Sequence, residues 1–539
     1  MSAAPTRGLL LALAVALALA WFGTLGHRKL IKADEGRYAE IPREMVATGD
    51  WLTPRLNGYK YFEKPPLQYW ATAAAFEVFG IHEWAVRLWS ALTGFGALCL
   101  VFYAGRRLFG EPAATFGAAV LASNALFAAM SQVASLDMGV SAFLSLAVLG
   151  FALAQRDEAT PAERRGWMLA AWAGMALAVL SKGLIGVVLP GGALVLYLAW
   201  ARDLAPLRRV QWLPGLALFL AIAAPWFVRV SAANPEFARF FFIHEHFERF
   251  LTTEHEHVGP LWYFVPVIVV GMLPWLLSPA AALWQAAKRL PEARFQPARF
   301  LLVWCAVVFV FFSLSGSKLQ SYVLPLFPAL ALLTGRQLAQ ASRGLLLAQA
   351  LLAALLGLAA ALVSGLAPAV PAPYRPWLIA AFAVLAALAL AAAWLARRER
   401  RTASVLALAS GGLACTLLVV LGHDTLASRY SAYDAVQRAR PALPPGAPFY
   451  AVNHYDHTLP FYLGRTVTLV ERTDELRTSI GWEPQKFLPD LDAFAAAWRR
   501  DAAACAAFDP DAFASIRDRY GLEARVIVPG PRYLIACKP

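Results

Sequence analysis

Residues 344–366 read GLLLAQALLAALLGLAAALVSGL and contain no charged side chain. A helix needs about 20 mostly apolar residues to cross the hydrocarbon core of a bilayer, so this segment is long enough to span a membrane. Similar apolar runs occur along most of the chain and together predict thirteen membrane-spanning helices. The predicted spans are 8–26, 84–105, 112–130, 137–154, 167–182, 184–201, 212–230, 261–284, 299–315, 319–338, 344–366, 376–396 and 403–422.

The composition of the whole chain agrees with a polytopic α-helical membrane protein. Of its 539 residues, 59% are hydrophobic and 15% are charged, whereas a soluble chain has about 25% charged residues. So few polar residues cannot cover a water-facing surface, which excludes a soluble globule, a coiled coil and a disordered chain. The net charge of +13 comes mainly from short basic groups between apolar runs. Nucleic-acid binding needs a long basic face instead, so no nucleic-acid partner is expected.

The basic residues between the apolar runs predict how the helices are oriented. They follow the even-numbered spans, at Arg106, Arg107, Arg156, Arg164, Arg165, Arg202, Arg208, Arg209, Lys288, Arg289, Arg294, Arg299, Arg336, Arg343, Arg397, Arg398, Arg400 and Arg401. Because Lys and Arg mark cytoplasmic loops, the N-terminus is predicted to be cytoplasmic, and thirteen spans place the C-terminus outside. The run 8–26 is long and lacks a small-residue cleavage site, so we interpret it as a span and not as a signal peptide.

Three outward segments are large, at 27–83, 231–260 and 423–539. The last of these is polar, and its pattern alternates between strands and helices. The strand-like runs are Pro448–Asn453, Thr466–Val470, Arg525–Val528 and Tyr533–Ala536, and the clearest helical stretch is Asp492–Ala507. We therefore predict a transmembrane domain over 1–422 and a small extracytoplasmic α/β domain over 423–539.

The five cysteines divide between these regions. Cys99, Cys305 and Cys415 lie in apolar runs, where thiols usually behave as small hydrophobic groups. Cys505 and Cys537 lie in the tail, and we expect them to form a disulfide if the tail is extracytoplasmic. Two unpaired, buried thiols are the alternative.

Most polar side chains that lie close to an apolar run fall on the outward side of the predicted membrane. They include Asp34, Glu35, Arg37, Tyr38, Tyr61, Glu63, Lys64, Asp137, Lys182, His244, Arg249, Lys318 and Tyr322. Ionisable groups at membrane depth are costly and often mark function. The lysines and the arginine of the 231–260 segment could neutralise a phosphate, and the two aspartates could accept hydrogen bonds or act as a general base. This combination indicates a site for a lipid-linked phosphate.

Several of these residues also have a purely structural interpretation. Asp34 and Asp137 could cap helices, Lys64 could extend towards lipid headgroups, and Lys182 could be an interfacial anchor. Pro65 and Pro66 favour extended backbone at Lys64 and so fix its direction. Both interpretations remain open on the residue types and spacings alone.

A histidine-rich and glutamate-rich loop is the one indication of a metal. It contains His244, Glu245, His246, Glu248, Glu254, His255, Glu256 and His257. Such density suggests a divalent metal, although the spacing matches no fixed ligand template. A solvated polar loop is the alternative.

The first outward segment resembles the aminoarabinose transferases (ArnT), which belong to the GT-C glycosyltransferases and are related to the protein O-mannosyltransferases. The resemblance rests on DEGRYAEIPREM at 34–45, WLTP at 51–54 and EKPPL at 63–67. It extends over Asp137 and over SKG at 181–183, and it includes the loop 244–249. The tail resembles the family in its placement only.

The resemblance implies a GT-C fold and a transferase of the bacterial inner membrane. Such an enzyme would move 4-amino-4-deoxy-L-arabinose from undecaprenyl phosphate to a lipid A phosphate. It implies a periplasmic active site formed in part by 27–83 and 231–260, and a periplasmic C-terminal domain. The expected partners are the undecaprenyl-phosphate-linked sugar donor, the lipid A acceptor and membrane lipids.

Site roles also follow from the resemblance and from the outward clustering. We expect catalytic roles for Asp34, Asp137 and Lys64, donor-phosphate binding by Lys64, Arg249 and Lys182, and a substrate pocket with Glu35, Arg37, Tyr38, Tyr61, Lys318 and Tyr322. Glu63 and His244 match a pair that can bind zinc near the site. No cofactor is expected to be required for the chemistry.

Two other functions are compatible with the residues. One is a GT-C enzyme that moves another polyprenyl-phosphate sugar, to protein or to a different lipid. The other is a lipid or solute transporter, which predicts charges near the membrane midplane and internal repeats. The unusual charges here lie at the outward ends of spans, and no strong repeat is found, which favours the enzyme.

Overall fold

The computed structural model describes residues 7–248, 259–288, 294–530 and 532–539. Helices dominate it. The α-helices are Arg7–Gly23, Asp34–Thr48, Leu67–Phe79, Glu83–Phe109, Glu111–Ser123, Ala125–Met130, Leu136–Ala154, Pro161–Lys182, Ile185–Ala201, Trp212–Ala233, Phe264–Gly271, Leu277–Ala287, Pro297–Leu314, Phe327–Ala339, Arg343–Leu366, Arg375–Arg397, Arg401–Gly422, Ala427–Tyr430, Tyr433–Ala439, Thr458–Leu463, Arg477–Trp482, Leu491–Arg500 and Pro510–Tyr520. Arg239–Glu248 is a π-helix, and short 3-10 helices occur at Ala205–Arg209, Gln320–Leu326, His423–Leu426, Arg440–Ala442, Asp474–Leu476 and Pro484–Lys486.

The chain forms two compact units. The helical unit comprises Met1–Leu25, Glu63–Gln68 and Arg87–Gly422. The sheet unit comprises Gly26–Phe62, Tyr69–Val86 and His423–Pro539. Most of the first outward segment therefore belongs to the same unit as the C-terminal tail. The predicted domain bounds, 1–422 and 423–539, stay a prediction.

Eight helices in the described part of the chain are long and apolar enough to cross a membrane. They are Glu83–Phe109, Leu136–Ala154, Trp212–Ala233, Pro297–Leu314, Gln320–Ala339, Arg343–Leu366, Arg375–Arg397 and Arg401–Tyr430. Ala14–Gly23 and Ile185–Ala201 are apolar but shorter. The prediction of a polytopic helical membrane protein is confirmed, whereas the number thirteen is not.

Two predicted spans are interrupted, and in each case side-chain chemistry explains the break. The span predicted at 112–130 stops at Asn124, whose side chain accepts a hydrogen bond from the Phe127 backbone N–H (3.0 Å) and so starts a new helix. The span predicted at 261–284 is broken around Pro274, which has no backbone N–H to donate. Gln349, from the apolar run 344–366, forms hydrogen bonds with backbone groups at this break. Its amide donates to the Pro274 carbonyl (2.5 Å) and accepts from the backbone N–H of Leu277 (2.9 Å).

Small residues allow close helix packing within the helical unit. Gly335 faces Gly117, and a Cβ atom at Gly335 would lie 2.2 Å from the Gly117 backbone nitrogen. Helices in membranes commonly approach through such small residues, because backbones can then come within van der Waals contact. A larger side chain at Gly335 would force the helices Glu111–Ser123 and Phe327–Ala339 apart.

The sheet unit contains seven short strands in two sheets. A hairpin joins β1 (Arg55–Leu56) to β2 (Tyr59–Lys60). Its turn, Asn57-Gly58, has positive φ at both residues, which this type of tight turn requires. The five-stranded sheet consists of β3 (Phe449–Val452), β4 (Thr468–Val470), β5 (Cys505–Phe508), β6 (Arg525–Val528) and β7 (Leu534–Cys537). Its order is β4-β3-β5-β7-β6, with β3 parallel to β4 and β5, and β7 antiparallel to β5 and β6.

The α/β prediction for the tail is confirmed, and one of its elements is corrected. The four predicted strands are present as β3, β4, β6 and β7. The helix predicted over Asp492–Ala507 ends at Arg500, and Cys505–Phe508 is the central strand instead. Alanine-rich sequence favours a helix locally, but this segment is completely buried between β3 and β7 and pairs with both. Tertiary pairing therefore overrides local preference.

Cys505 and Cys537 form a disulfide, as predicted. They are direct neighbours in the register between β5 and β7. Cys99, Cys305 and Cys415 are not disulfide-bonded. The bond fixes two strands of the buried core that includes Phe494, Trp498 and Phe508.

Candidate functional site

Asp34 is the first residue of a helix that runs to Thr48 in the sheet unit. The helix start lies directly against the backbone of His457. A Cβ atom at Gly36 would be 2.5 Å from the carbonyl carbon of His457, so only glycine fits without a backbone shift. The glycine of the quoted 34–45 motif therefore fixes where Asp34 lies relative to the tail.

A chain of charged side chains connects Asp34 to the tail. Arg37 donates to the Asp34 carboxylate (3.0 Å), and its Nε donates to Glu475 Oε1 (3.0 Å). His457 contacts the same Glu475 oxygen at 2.8 Å. Burial alone would raise the pKa of Glu475, but Arg37 and the hydrogen-bonded His457 outweigh it and lower the pKa to about 2.

Asp34 itself remains accessible. Its side chain is 55% exposed, whereas that of Arg37 is 13% exposed. Arg37 is held by the largely buried carboxylate of Glu475 and so presents a fixed cation to the exposed Asp34. This arrangement suits a carboxylate that must orient or deprotonate an incoming group.

Glu35 follows Asp34 in the same helical turn and is completely buried. Its carboxylate accepts two hydrogen bonds from Arg28 (2.8 and 2.9 Å) and one from the Ile31 backbone (3.1 Å). These contacts hold the loop that precedes the helix. The geometry favours a positioning role for Glu35, and its assignment to the substrate pocket stays a prediction.

Tyr38 and Tyr61 are also buried in the sheet unit. The Tyr38 ring lies 6.1 Å from that of Tyr69, and the Arg37 guanidinium lies 5.7 Å from the Tyr38 ring centre. The aromatic ring thus supports the arginine that contacts Asp34. Tyr61 is 1% exposed.

In the helical unit, Lys64 meets the 231–260 segment. Its ammonium donates to the Glu63 carbonyl (2.8 Å) and to the Glu245 carboxylate (3.1 Å). Its side chain is 18% exposed. The structure therefore brings together two segments that are far apart in the sequence. Glu245 holds the cation, which prevents Lys64 from extending freely to solvent.

Asp137 and Lys182 form an ion pair, and Tyr322 joins them. Asp137 lies in the first turn of its helix, after Ser135, whose hydroxyl accepts from the Asp137 backbone (3.3 Å). The Lys182 ammonium lies 4.5 Å from the Tyr322 ring centre. Three residues predicted separately are thus one cluster. Both charged side chains are largely buried, at 13% and 15% exposure.

Lys318 makes its hydrogen bonds to the backbone. Its ammonium donates to the carbonyls of Ser313 (2.8 Å) and Ser315 (2.7 Å) at the end of the preceding helix. A lysine at this position satisfies backbone oxygens that the helix leaves without partners. The contacts favour a helix-capping role, and the pocket role of Lys318 stays a prediction.

The metal prediction has limited support in the described residues. His244 stacks on Phe240, with 5.2 Å between ring centres. A structural zinc site takes four ligands, and among the described residues no group of three or more His, Cys, Asp or Glu could hold a metal. Glu63 and His244 would need further ligands to complete such a site, and their zinc-binding role stays a prediction.

Part of the predicted site lies outside the described residues. Arg249 is one of these, together with Glu254, His255, Glu256 and His257. The side chains of His246 and Glu248 are also not described. The donor-phosphate role of Arg249 stays a prediction.

Sequence reasoning missed Glu475 and His457 as partners of the Asp34 helix. Both lie in the tail, where no motif distinguishes them from other polar residues. Among these residues, the sequence indication was Arg37 beside Asp34. An arginine that becomes largely buried in the fold requires a carboxylate partner. Glu245 was noticed only as part of the possible metal loop, and it contacts Lys64 instead.

Comparisons with known proteins cover nearly the whole chain. Residues 435–538 match the family described as aminoarabinose transferase C-terminal domain, and residues 8–241 match the dolichyl-phosphate-mannose-protein mannosyltransferase family. The crystal structure of ArnT from Cupriavidus metallidurans bound to undecaprenyl phosphate is similar with a TM-score of 0.93 and 36% identity, over 99% of this chain and 98% of that one. The apo structure of the same protein gives a TM-score of 0.91 and 37% identity, over 98% and 97%.

A curated relative agrees with the structural matches. The undecaprenyl phosphate-alpha-4-amino-4-deoxy-L-arabinose arabinosyl transferase 2 of Pseudomonas fluorescens is 36% identical over 333 residues. That region is 60% of this chain and 55% of the relative, so the match spans a little over half of the curated protein's length.

Proposed function

Because the chain belongs to the ArnT family of GT-C glycosyltransferases, we propose that it is a membrane enzyme that transfers 4-amino-4-deoxy-L-arabinose from undecaprenyl phosphate to a phosphate of lipid A. The observation that carries the proposal is the likeness of nearly the whole chain to an ArnT solved with undecaprenyl phosphate. The specific motif around Asp34 and Lys64 supports it from the sequence side.

We propose that the enzyme lies in the bacterial inner membrane, with the sheet unit in the periplasm. Two observations support this orientation. Basic residues follow the even-numbered predicted spans, which favours a cytoplasmic position for those loops. The Cys505–Cys537 disulfide suits an oxidising compartment such as the periplasm.

In the proposed reaction, Asp34 acts on the acceptor. A phosphate monoester has a second pKa of about 6, so the acceptor phosphate is already largely anionic near neutral pH. Little base strength is then needed. Asp34 would orient the acceptor or take its residual proton, and its exposed carboxylate fixed by Arg37 fits that role.

Lys64 would act on the donor. As the sugar leaves, negative charge grows on the undecaprenyl phosphate, and a fixed cation stabilises that charge most when it needs no rearrangement. The contact with Glu245 holds the Lys64 ammonium in one position. Arg249 would supply a second, bidentate contact.

The Asp137–Lys182 pair would serve the donor sugar and its phosphate. Asp137 is an acidic partner for the amine of the sugar, and Lys182 is a cation for the phosphate. In the absence of substrate, their mutual ion pair neutralises both charges. Tyr322 provides an aromatic wall beside the lysine.

Lipid A from a host that lacks its own aminoarabinose transferase tests the proposal. Expression of this chain is expected to add the mass of one or two aminoarabinosyl residues to lipid A. Asp34→Asn should abolish the addition, whereas Asp518→Asn, an exposed aspartate of the sheet unit, should not. Unmodified lipid A, together with a protein or another lipid that carries the transferred sugar, would identify the alternative acceptor. This result would refute the lipid A assignment.

A further inference from the structure

One edge of the five-stranded sheet gathers polar side chains that the proposed reaction does not use. His454, Tyr455 and Asp456 directly follow parallel strand β3, and Arg532 and Tyr533 directly precede β7. Because the start of β7 pairs with the end of β5, these segments lie at the same edge. In α/β sheets, ligands bind outside the carboxyl ends of parallel strands, and this is that edge.

Several buried polar atoms at this edge have no hydrogen-bond partner within the described residues. They are Arg532 Nε, Nη1 and Nη2, His454 Nε2, and the hydroxyls of Tyr455 and Tyr533. Arg532 Nη2 does lie 2.7 Å from Asp456 Oδ2, a distance that makes an ion pair even though the angle is poor for a hydrogen bond. Tyr533 is 3% exposed. Native proteins satisfy the great majority of buried polar atoms, so such a concentration indicates a polar ligand or water.

A cavity of about 60 Å³ is lined by two of these residues, Arg532 and Tyr533, and we name it the strand-edge pocket. Its polar lining consists of Ser428, Ser431, Asp434, Arg438, Arg532 and Tyr533. One buried water needs about 10–15 Å³ by the same measure, so the pocket has room for a group of several heavy atoms. A phosphate group is of that size.

The charge around the strand-edge pocket favours an anion. Arg438 and Arg532 line it. Lys32 is next to it, since its backbone N–H donates to the carbonyl of Tyr430 (2.9 Å) in the turn between the two lining serines. Burial lowers the pKa of Lys32, and the nearby Arg532 lowers it further.

Two ion pairs near the strand-edge pocket compensate part of its charge. Asp456 pairs with Arg532, and Arg472, which also acts on Lys32, pairs with Asp474 at 2.6 Å. Besides these pairs, Lys32 lies next to the strand-edge pocket, and Arg438 and the carboxylate of Asp434 line it. That carboxylate can accept a hydrogen bond from a hydroxyl, which a sugar phosphate offers together with its anionic group.

We propose that the strand-edge pocket binds a phosphate-bearing sugar headgroup of the acceptor lipid. Arg438 and Arg532 would contact the phosphate, the two serine hydroxyls would complete its hydrogen bonds, and Asp434 would accept from a sugar hydroxyl. The assignment rests on the proposed function, because it takes the acceptor to be a phosphorylated glycolipid. The phosphate held here is not the one that receives the sugar.

Chemical protection of Arg438 tests the site without relying on activity. The full-length protein in detergent is treated with an arginine-selective dicarbonyl, and modification of Arg438 and of the exposed control Arg517 is followed by peptide mass spectrometry. Mixed micelles or vesicles containing lipid A should slow modification of Arg438 about tenfold and leave Arg517 unchanged. Vesicles of the dephosphorylated lipid should protect neither arginine.

Two results would overturn the assignment. Equal protection by phosphorylated and dephosphorylated lipid would show that phosphate is not recognised. Protection by inorganic phosphate with none by lipid A would assign the pocket to free phosphate and exclude the acceptor headgroup.

Kinetics of the variant Arg438→Gln separate this proposal from the proposed function. Arg438 is exposed, so the change should not unfold the chain. The KM for lipid A should rise about tenfold, with kcat and the KM for the donor unchanged, and Arg438→Lys should restore part of the loss. Arg517→Gln is the matched control.

The possible outcomes are distinct. A protein that transfers normally but shows no change of acceptor KM in Arg438→Gln refutes the strand-edge pocket and leaves the proposed function intact. A wild-type protein that shows no transfer, while lipid A still protects Arg438, refutes the proposed function and supports the pocket.

Discussion

The ion pairs of Glu475 should make the stability of the sheet unit depend on pH in a specific way. Arg37 and His457 hold the pKa of this largely buried carboxyl at about 2, against 4.5 for an ordinary glutamate. A shift of this size corresponds to about 3 kcal/mol of stabilisation by the charged form. Because the pKa is lowered on folding, the stabilisation is fully present above pH 4.5 and is lost as the pH falls towards 2.

The substitution Glu475→Gln removes this contribution. At pH 7 the free energy of opening of β3 and β4 should fall by about 3 kcal/mol, which makes their amides exchange about a hundredfold faster than in the wild type. Hydrogen exchange of the full-length protein in detergent measures this ratio. Comparing both proteins at each pH cancels the intrinsic exchange rate, and the ratio should approach one near pH 2.

Glu523→Gln is the matched control, since Glu523 is an exposed glutamate of the same unit. It should exchange like the wild type at every pH. Equal exchange of Glu475→Gln and wild type at pH 7 would refute the reasoning. A difference that stayed constant down to pH 2 would also refute it, because it would show that the loss does not come from the carboxylate charge.

Three further predictions test other contacts. Gly36→Ala places a Cβ 2.5 Å from a facing backbone carbon, so it should destabilise the sheet unit by about 1–3 kcal/mol, measured as a lower melting temperature; an unchanged temperature would contradict the close approach. Lys182→Met and Asp137→Asn should each reduce transfer. The double variant should transfer no more slowly than the slower single variant, because each substitution breaks the same ion pair. Additive losses in the double-mutant cycle would show independent roles. Replacing Cys505 and Cys537 by serine should cost about 2–4 kcal/mol of sheet-unit stability by opening the cross-link, and reductant should destabilise the wild type but not the variant.

Hydropathy predicts the membrane class but not every helix boundary. The apolar run 344–366 is a helix because nothing within it interrupts the pattern. The breaks at Asn124 and Pro274 depend on a side-chain cap and a missing N–H, which an averaged apolar window does not register. The completion of the Pro274 break by Gln349 could not be predicted, because it joins residues 75 positions apart.

The strands of the tail show the same limit. The strand-like runs Pro448–Asn453 and Thr466–Val470 predicted β3 and β4 correctly. The central strand Cys505–Phe508 was missed because its alanines favour a helix locally. Only its burial between two partners decides the conformation.

For the site, the sequence identified residue types better than contacts. Asp137 and Lys182 were both singled out, yet their ion pair is visible only in the structure. The sequence predicts Lys318 as a pocket residue from its position at a span end, and the hydrogen bonds of its ammonium to two backbone carbonyls are visible only in the structure. The partner Glu475 lies in a segment without a motif, so no local pattern could connect it to Arg37.

Transfer by the purified protein tests the proposed reaction most directly. Wild-type protein and Asp34→Asn are incubated with undecaprenyl-phosphate-linked aminoarabinose and lipid A, and the product is followed by mass spectrometry alongside donor binding. The wild type should add the aminoarabinosyl mass to lipid A, and Asp34→Asn should bind the donor with unchanged affinity but form no product. Product formation by Asp34→Asn at the wild-type rate would contradict the role of this carboxylate, and no product from the wild type would contradict the proposed function itself.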